Sequence, residues 1–278
     1  MNTEKELTGY PSIDKPWFKY YRVESINARL PHKTMYQMVY DENKDYPDDY
    51  VFNYYGNRIT FKDFFTNVDK AAKSLVYLGV KPDDIVTIMG LSTPETFYVA
   101  YACSKIGAVI NLISVLSGEQ ELVNYLNEAE STVLVALDLF NDLISKVIPR
   151  TNVKKIINLS IEESMPVNIK TAYLNNQNKT NSSYVSWKKF IELSDGQPDI
   201  TAYKYIPNRF TYLAHTGGTT GEPKGVMLTD DTVNGILFED MINYDYDRQL
   251  KFLNTIPPCS LNSLSVLCIL AAEESDVT

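Results

Sequence analysis

Cysteine is scarce in this chain: Cys103, Cys259 and Cys268 stand far apart, odd in number and with no CxxC pair among them. That spacing builds neither a disulfide framework nor a zinc site. It fits a reduced, cytoplasmic protein whose small thiols are buried. Histidine is scarcer, with only His32 and His215 in 278 residues, and neither lies at metal-ligand spacing from a partner. Long apolar runs are missing too. Residues 263–272 reach about half the length needed to cross a bilayer, and the longer stretch from Ile85 to Leu116 is broken by Pro94, Glu95, Lys105 and two glycines. No integral membrane segment is expected. The start, Met1 to Glu6, has no apolar core behind a basic patch and does not read as a secretory signal. Basic residues are in deficit, 26 against 35 acidic ones, for a net charge of −9. That balance argues against broad binding to nucleic acid or to anionic lipid, yet it leaves room for one local cationic loop that holds a phosphate.

What the chain does have is a hydrophobic fraction of 44%, enough for a real core in one large domain or two ordinary ones. From residue 50 onward short apolar runs alternate with amphipathic ones, the sign of an α/β fold with largely parallel strands. Residues 1–49, with Pro11, Pro16, Pro31 and Pro47, read as an extended arm anchored by burial of Trp17, Phe18, Tyr20 and Tyr21. A helix is predicted from a Thr60 cap, with Phe64, Val68, Ala71, Ala72 and Leu75 on one face and Gly79 as its stop. Strand 84–89 follows, then a helix opened by Thr93 and Pro94 and closed at Gly107. Strand 108–113, helix 118–129, strand 132–136, helix 138–147 and strand 154–159 complete what reads as an open, doubly wound sheet over residues 50–196. The asparagine-rich stretch from 160 to 186 reads as a surface excursion, and its Asn181-Ser182-Ser183 sequon as accidental. A short helix over 187–193 precedes a linker. A subdomain boundary is placed at 197, with 197–278 opening a second unit.

Four of the 12 glycines fall between 217 and 225, in HTGGTTGEPKG at 215–225, between two apolar strand-like runs. Glycine lets backbone N–H groups approach closely and turn inward, as a concave phosphate cradle requires. Thr216, Thr219 and Thr220 add neutral donors, and Lys224 adds a point charge able to follow a polyphosphate. Two other readings stand beside this one. A flexible hairpin loop with a stray lysine is one, although ordinary hairpin loops need only about two to five residues. The nucleotide loop of kinases and GTPases is the other, but there Gly-Lys-Ser/Thr opens a helix, whereas Lys224 lies between Pro223 and Gly225 before a β-like run.

The segment TGGTTGEPKG resembles the signature loop of the adenylate-forming superfamily, which includes acyl-CoA synthetases, luciferases and peptide-synthetase adenylation domains. Residues 58–135 are similar to the early region of that family, with its helix, strand, Pro-Glu helix and Lys-Ile-Gly-Ala strand in order. The resemblance implies the N-terminal part of the ligase large domain, mostly parallel sheets flanked by helices. It also implies a two-step reaction. A carboxylate, by the overall pattern a fatty acid, attacks the α-phosphorus of Mg2+-bound ATP to give acyl-AMP and pyrophosphate; coenzyme A then takes the acyl group. Thr216, Gly217, Gly218, Thr219, Thr220, Gly221 and Lys224 are the residues the resemblance assigns to the β- and γ-phosphates, with Pro223 and Gly225 shaping the turn.

Departures are visible. Where many relatives carry Leu-Thr-His, Leu228-Thr229 is followed by Asp230, read here as the cap of the next helix. The expected Pro-containing turn is Ile256-Pro257-Pro258-Cys259-Ser260, without a histidine, so Cys259 and Ser260 make weak acyl-pocket residues and Cys259 a poor nucleophile. His215 is read as a flanking, packing residue. The family's later landmarks, namely the Thr-Glu segment, the ribose-binding Asp, the hinge and the C-terminal domain with its catalytic Lys, have no counterpart. The isolated chain is therefore expected to bind ATP weakly, to lack full ligase activity and to aggregate. A non-catalytic module that keeps the fold, and a kinase that releases ADP, are the competing functions.

Overall fold

Strands whose successive residues are all apolar must be covered on both faces. In Val133–Leu137 all five residues are buried. Val133, Val135 and Leu137 enter one core cluster and Leu134 and Ala136 another. The sheet is thus the middle of three layers. The computed structural model describes residues 7–174, 184–216, 224–243, 253–254 and 257–259.

The chain opens with α1 (Pro11–Asp14), a short 3-10 turn over Pro16–Tyr20, α2 (Val23–Asn27) and α3 (Met35–Asn43). A hairpin follows, β1 (Tyr50–Tyr54) against β2 (Asn57–Thr60), turned by Tyr55 and Gly56 with φ of 52° and 91°. Positive φ at both central residues matches the right-handed twist of paired strands. Then come α4 (Phe61–Tyr77), β3 (Ile85–Met89), α5 (Pro94–Ile106), β4 (Val109–Leu112), α6 (Glu119–Glu128), β5 (Val133–Leu137) and α7 (Asn141–Val147). The remainder is β6 (Lys155–Leu159), α8 (Val167–Leu174), β7 (Val185–Ser186), α9 (Trp187–Glu192), β8 (Phe210–His215), β9 (Gly225–Thr229) and α10 (Asp230–Asn243). Apart from the hairpin, the described strands form one seven-stranded sheet in the order β7-β6-β5-β3-β4-β8-β9, parallel except for β9.

Helices α3, α4, α5, α9 and α10 cover one face, through residues such as Phe64, Tyr101, Phe190 and Leu237. Helices α6 and α7 cover the other, through Leu122, Leu126, Ile144 and Val147. Every residue of α5 is buried, so this helix runs inside the layer rather than on it. Its Thr93 cap accepts from Thr96 N, and Gly107 ends it at φ 77°, where a Cβ would meet the Tyr203 ring at 2.5 Å. No described helix is long and apolar enough to cross a membrane.

Several expectations are corrected. Residues 1–49 are not a simple extended arm: α3 carries Met35, Tyr36, Met38 and Val39 into the core under a Thr34 capping box. Trp17, Tyr20 and Tyr21 are exposed rather than buried, at 42, 80 and 46%. The stretch after 160 holds α8 and β7, while 175–183, with the sequon, lies outside the described residues. Asp230 does not cap its own helix. Thr229 Oγ1 takes the Thr232 N–H at 3.2 Å, and the buried Asp230 carboxylate instead accepts Met35 N at 3.0 Å, at the start of α3. Beyond residue 197 the chain extends the same sheet, since β8 pairs with β4.

Candidate functional site

In parallel sheets the loops that leave the carboxyl ends of the strands bind ligands. The glycine-rich loop leaves the carboxyl end of β8, beside that of β4. β8 and β9 stay paired up to His215 and Gly225. One step further, Thr216 N donates to Lys224 O at 3.1 Å and Lys224 N donates to Thr216 Oγ1 at 3.1 Å. These two bonds close the neck of the loop without using the Thr216 hydroxyl proton or the ammonium of the exposed Lys224. Gly217, Gly218, Thr219, Thr220, Gly221 and Pro223 lie outside the described residues. Gly225 sits close to its neighbours: a Cβ there would come within 2.9 Å of Glu128 Oε1, the movable tip of a side chain on α6, and 3.1 Å of Leu213 Cδ1.

Beneath the neck runs a polar line through the sheet. His215 Nε2 lies 2.8 Å from Asn111 Oδ1, and Asn111 Nδ2 donates to Thr87 Oγ1 at 2.9 Å, so one chain of hydrogen bonds joins β8, β4 and β3. Asn111 and Thr87 are completely buried. With Nδ2 committed to Thr87, Oδ1 is left to accept, and His215 must carry its proton on Nε2. Its Nδ1 is buried without a partner. The ring packs on Tyr125 of α6, centroids 4.0 Å apart, and Tyr125 donates to Glu121 at 2.7 Å. Burial pulls the His215 pKa down, with Glu128 and Glu121 pulling the other way. A half-buried neutral imidazole that braces the strand below Thr216 agrees with the flanking role read from the sequence. Thr87, Asn111 and Tyr125 were not anticipated; the one hint is Asn111 inside the otherwise apolar run AVINLI.

The turn at Pro257–Cys259 comes back to the same end of the sheet. Cys259 packs on the core, and burial pushes its thiol pKa up, partly offset by its own backbone and by a hydrogen bond with Ser114, which follows β4. A thiol held protonated is not a nucleophile at neutral pH. Ser260 lies outside the described residues.

A second polar cluster gathers where the loops after β3, β5 and β6 meet. Glu95, in the first turn of α5, is 1% exposed, is hydrogen-bonded by Ser164, and leaves Oε2 unpaired. Burial lifts its pKa to about 7, and the neighbouring Glu163 adds to the rise. Asp138 and Glu163 are raised in the same way, burial first. Among the described residues no group of three or more His, Cys, Asp or Glu is placed to hold a metal.

The sequence and the fold have counterparts in known proteins. A long-chain-fatty-acid–CoA ligase of Bacillus subtilis (strain 168) is 28% identical over 227 residues, which is 79% of this chain and 40% of that protein. A 3-hydroxypropionyl-coenzyme A synthetase of Metallosphaera sedula is 27% identical over 179 residues, 61% of this chain and 25% of its own length. Among solved structures, a long-chain-fatty-acid-CoA ligase (FadD1) from Archaeoglobus fulgidus shares the fold with a TM-score of 0.72 at 16% identity, over 90% of this chain and 48% of that one. The chain thus spans less than half the length of these relatives. The model of the AMP-binding enzyme family matches residues 39–273, most of the sequence, and the chain belongs to that family.

Proposed function

We propose that this chain supplies the phosphate-binding part of an AMP-forming carboxylate activation. The observation that carries the reading is the doubly hydrogen-bonded neck of Thr216 and Lys224 at the carboxyl end of β8, taken with the TGGTTGEPKG pattern of the sequence at 216–225. In this reading Thr216, Gly217, Gly218, Thr219, Thr220, Gly221 and Lys224 hold the β- and γ-phosphates of ATP. Backbone N–H groups and an ammonium placed where charge develops on the departing pyrophosphate lower the barrier. A carboxylate oxygen attacks the α-phosphorus, pyrophosphate leaves with the P–O bond electrons, and acyl-AMP results. Coenzyme A thiolate then attacks the acyl carbon and AMP departs. Mg2+ bound to ATP would supply charge neutralisation of its phosphates. The name of the Bacillus relative supports a fatty acid as the carboxylate. We place the protein in the cytoplasm, and take 50–196 and 197–278 as two subdomains that share one sheet, preceded by the N-terminal stretch 1–49. The 278 residues are proposed to bind nucleotide weakly and to need the remaining length of a full ligase for turnover.

Competition binding tests the reading. A fluorescent ATP analogue should be displaced by pyrophosphate and much less by AMP, and Lys224→Ala should weaken its affinity about tenfold, as loss of a charge-assisted contact does. Equal displacement by AMP, or affinity unchanged in Lys224→Ala, refutes a phosphate-tail receptor. ADP release with γ-phosphate transfer would point to a kinase instead.

A further inference from the structure

The segment Lys15-Pro16-Trp17-Phe18-Lys19-Tyr20-Tyr21-Arg22 contains three cations, four aromatic rings and no acid, in a chain of net charge −9. None of the residues of α1, the 3-10 turn or α2 is buried. Tyr20 is 80% exposed, and Trp17 and Tyr21 are each more than two-fifths exposed. The rings are held by one another rather than by the core: Trp17 meets Phe18 edge-on at 6.4 Å and Phe18 meets Tyr21 at 6.5 Å. The cations stay level with the rings, Lys15 Nζ lying 5.0 Å from the Phe18 centroid and Lys19 Nζ 4.8 Å from that of Tyr20. Behind this stretch the chain is tied to the body, where Ser25 donates to Ile242 O at 2.7 Å.

Exposed apolar groups gathered in one place mark an interaction surface. Composition decides which kind. The centre of a protein-docking surface is depleted of lysine and other charges, whereas here a cation falls every third or fourth residue among the rings. Tryptophan and tyrosine with one apolar body and one polar tip settle at the headgroup level of a bilayer, and lysine and arginine beside them reach anionic lipid. The acidic remainder of the protein is repelled by such a surface, so this segment is the part that can face it.

We infer that residues 10–23 form an interfacial anchor that seats the protein reversibly on an anionic phospholipid surface, with Trp17, Tyr20 and Tyr21 at headgroup depth and Lys15 and Lys19 on the lipid phosphates. Neither the phosphate loop nor the proposed reaction enters this argument. The two tryptophans make the test direct, because Trp187 is 8% exposed and Trp17 42%. The purified 278-residue chain is mixed with vesicles of phosphatidylcholine alone or with 30% phosphatidylglycerol as an added arm, roughly the anionic share that gives a negative surface. Tryptophan emission should shift to the blue only with the anionic vesicles, the protein should sediment with them, and both effects should fade at high salt. Trp17→Phe should lose the shift while still sedimenting. Lys15→Gln with Lys19→Gln should lower the partition coefficient about twenty-five-fold, at roughly a factor of five per cation. Binding to neutral vesicles alone, a shift that survives in Trp17→Phe, or full sedimentation of the double glutamine variant would each overturn the inference. Because the altered side chains are exposed, an unchanged circular dichroism spectrum verifies that the variants fold.

Discussion

Asn111 is the residue on which the polar line beneath the Thr216–Lys224 neck depends, and Asn111→Ala removes both of its bonds at once. His215 Nε2–H then loses its acceptor and Thr87 Oγ1 loses its donor, in a layer where Thr87 has no access to water. An unsatisfied buried polar group costs about 1–3 kcal/mol. Thr87 can rotate its hydroxyl toward a strand carbonyl, and His215 is only half-buried, so each contributes near the lower end. The sum, with the small cavity left by the amide, is about 2–4 kcal/mol, a large share of the roughly 5–15 kcal/mol that holds a domain together. His215→Phe keeps a ring against Tyr125 but strands Asn111 Oδ1, for about 1–2 kcal/mol. The double variant removes both members of the pair, so the two effects should fall short of additive by about 1–2 kcal/mol. Urea unfolding of the four proteins at pH 7.5, with equal slopes as the check on two-state behaviour, measures the cycle. Additivity within about 0.5 kcal/mol, or loss of under about 1 kcal/mol in Asn111→Ala, would show that the line of hydrogen bonds does not brace the sheet.

Two further perturbations follow from the buried groups. Burial of the Glu95 carboxyl lifts its pKa in the folded protein from the ordinary 4.5 to about 7. The folded state therefore holds the proton more tightly. Its favourable contribution is complete below pH 4.5 and is lost as the pH rises to about 7, an effect of about 3 kcal/mol. Glu95→Gln, which stays neutral, should flatten this fall and unfold at higher temperature than wild type at pH 8; an unchanged profile of Tm against pH sinks the assignment. Gly107→Ala forces a side chain into φ 77° and against the Tyr203 ring, which itself carries Arg209 at 4.5 Å. Loss of about 2–4 kcal/mol is expected from strain and displaced packing together, and a thermal midpoint within two or three degrees of wild type contradicts it.

Much of the α/β organisation is legible along the chain, because periodicity is a local property. The helix predicted from Thr60 to Gly79 appears as Phe61–Tyr77, with Thr60 Oγ1 accepting Asp63 N at 3.1 Å. Strand 84–89 appears as Ile85–Met89, and the helix opened by Thr93 and Pro94 does end at Gly107. The N-terminal stretch was harder to read: prolines suggested an extended path, while α3 forms because its apolar residues find α5 and α10 far along the chain. Aromatic content suggested burial for Trp17, Tyr20 and Tyr21, but all three stay exposed, with Trp17 and Tyr21 packed against Phe18.

The loop pattern at 216–225, its glycines, threonines and lysine, and the alternation that demands a parallel sheet were determined by the sequence alone, since each rests on neighbours a few residues apart. Which strand stands beside which, and hence that Thr87, Asn111 and His215 meet across three strands although 128 positions separate the first from the last, was decided only when the sheet formed. A hydrogen bond needs its partners at about 3 Å, and only the packed layers bring residues so distant in the chain that close.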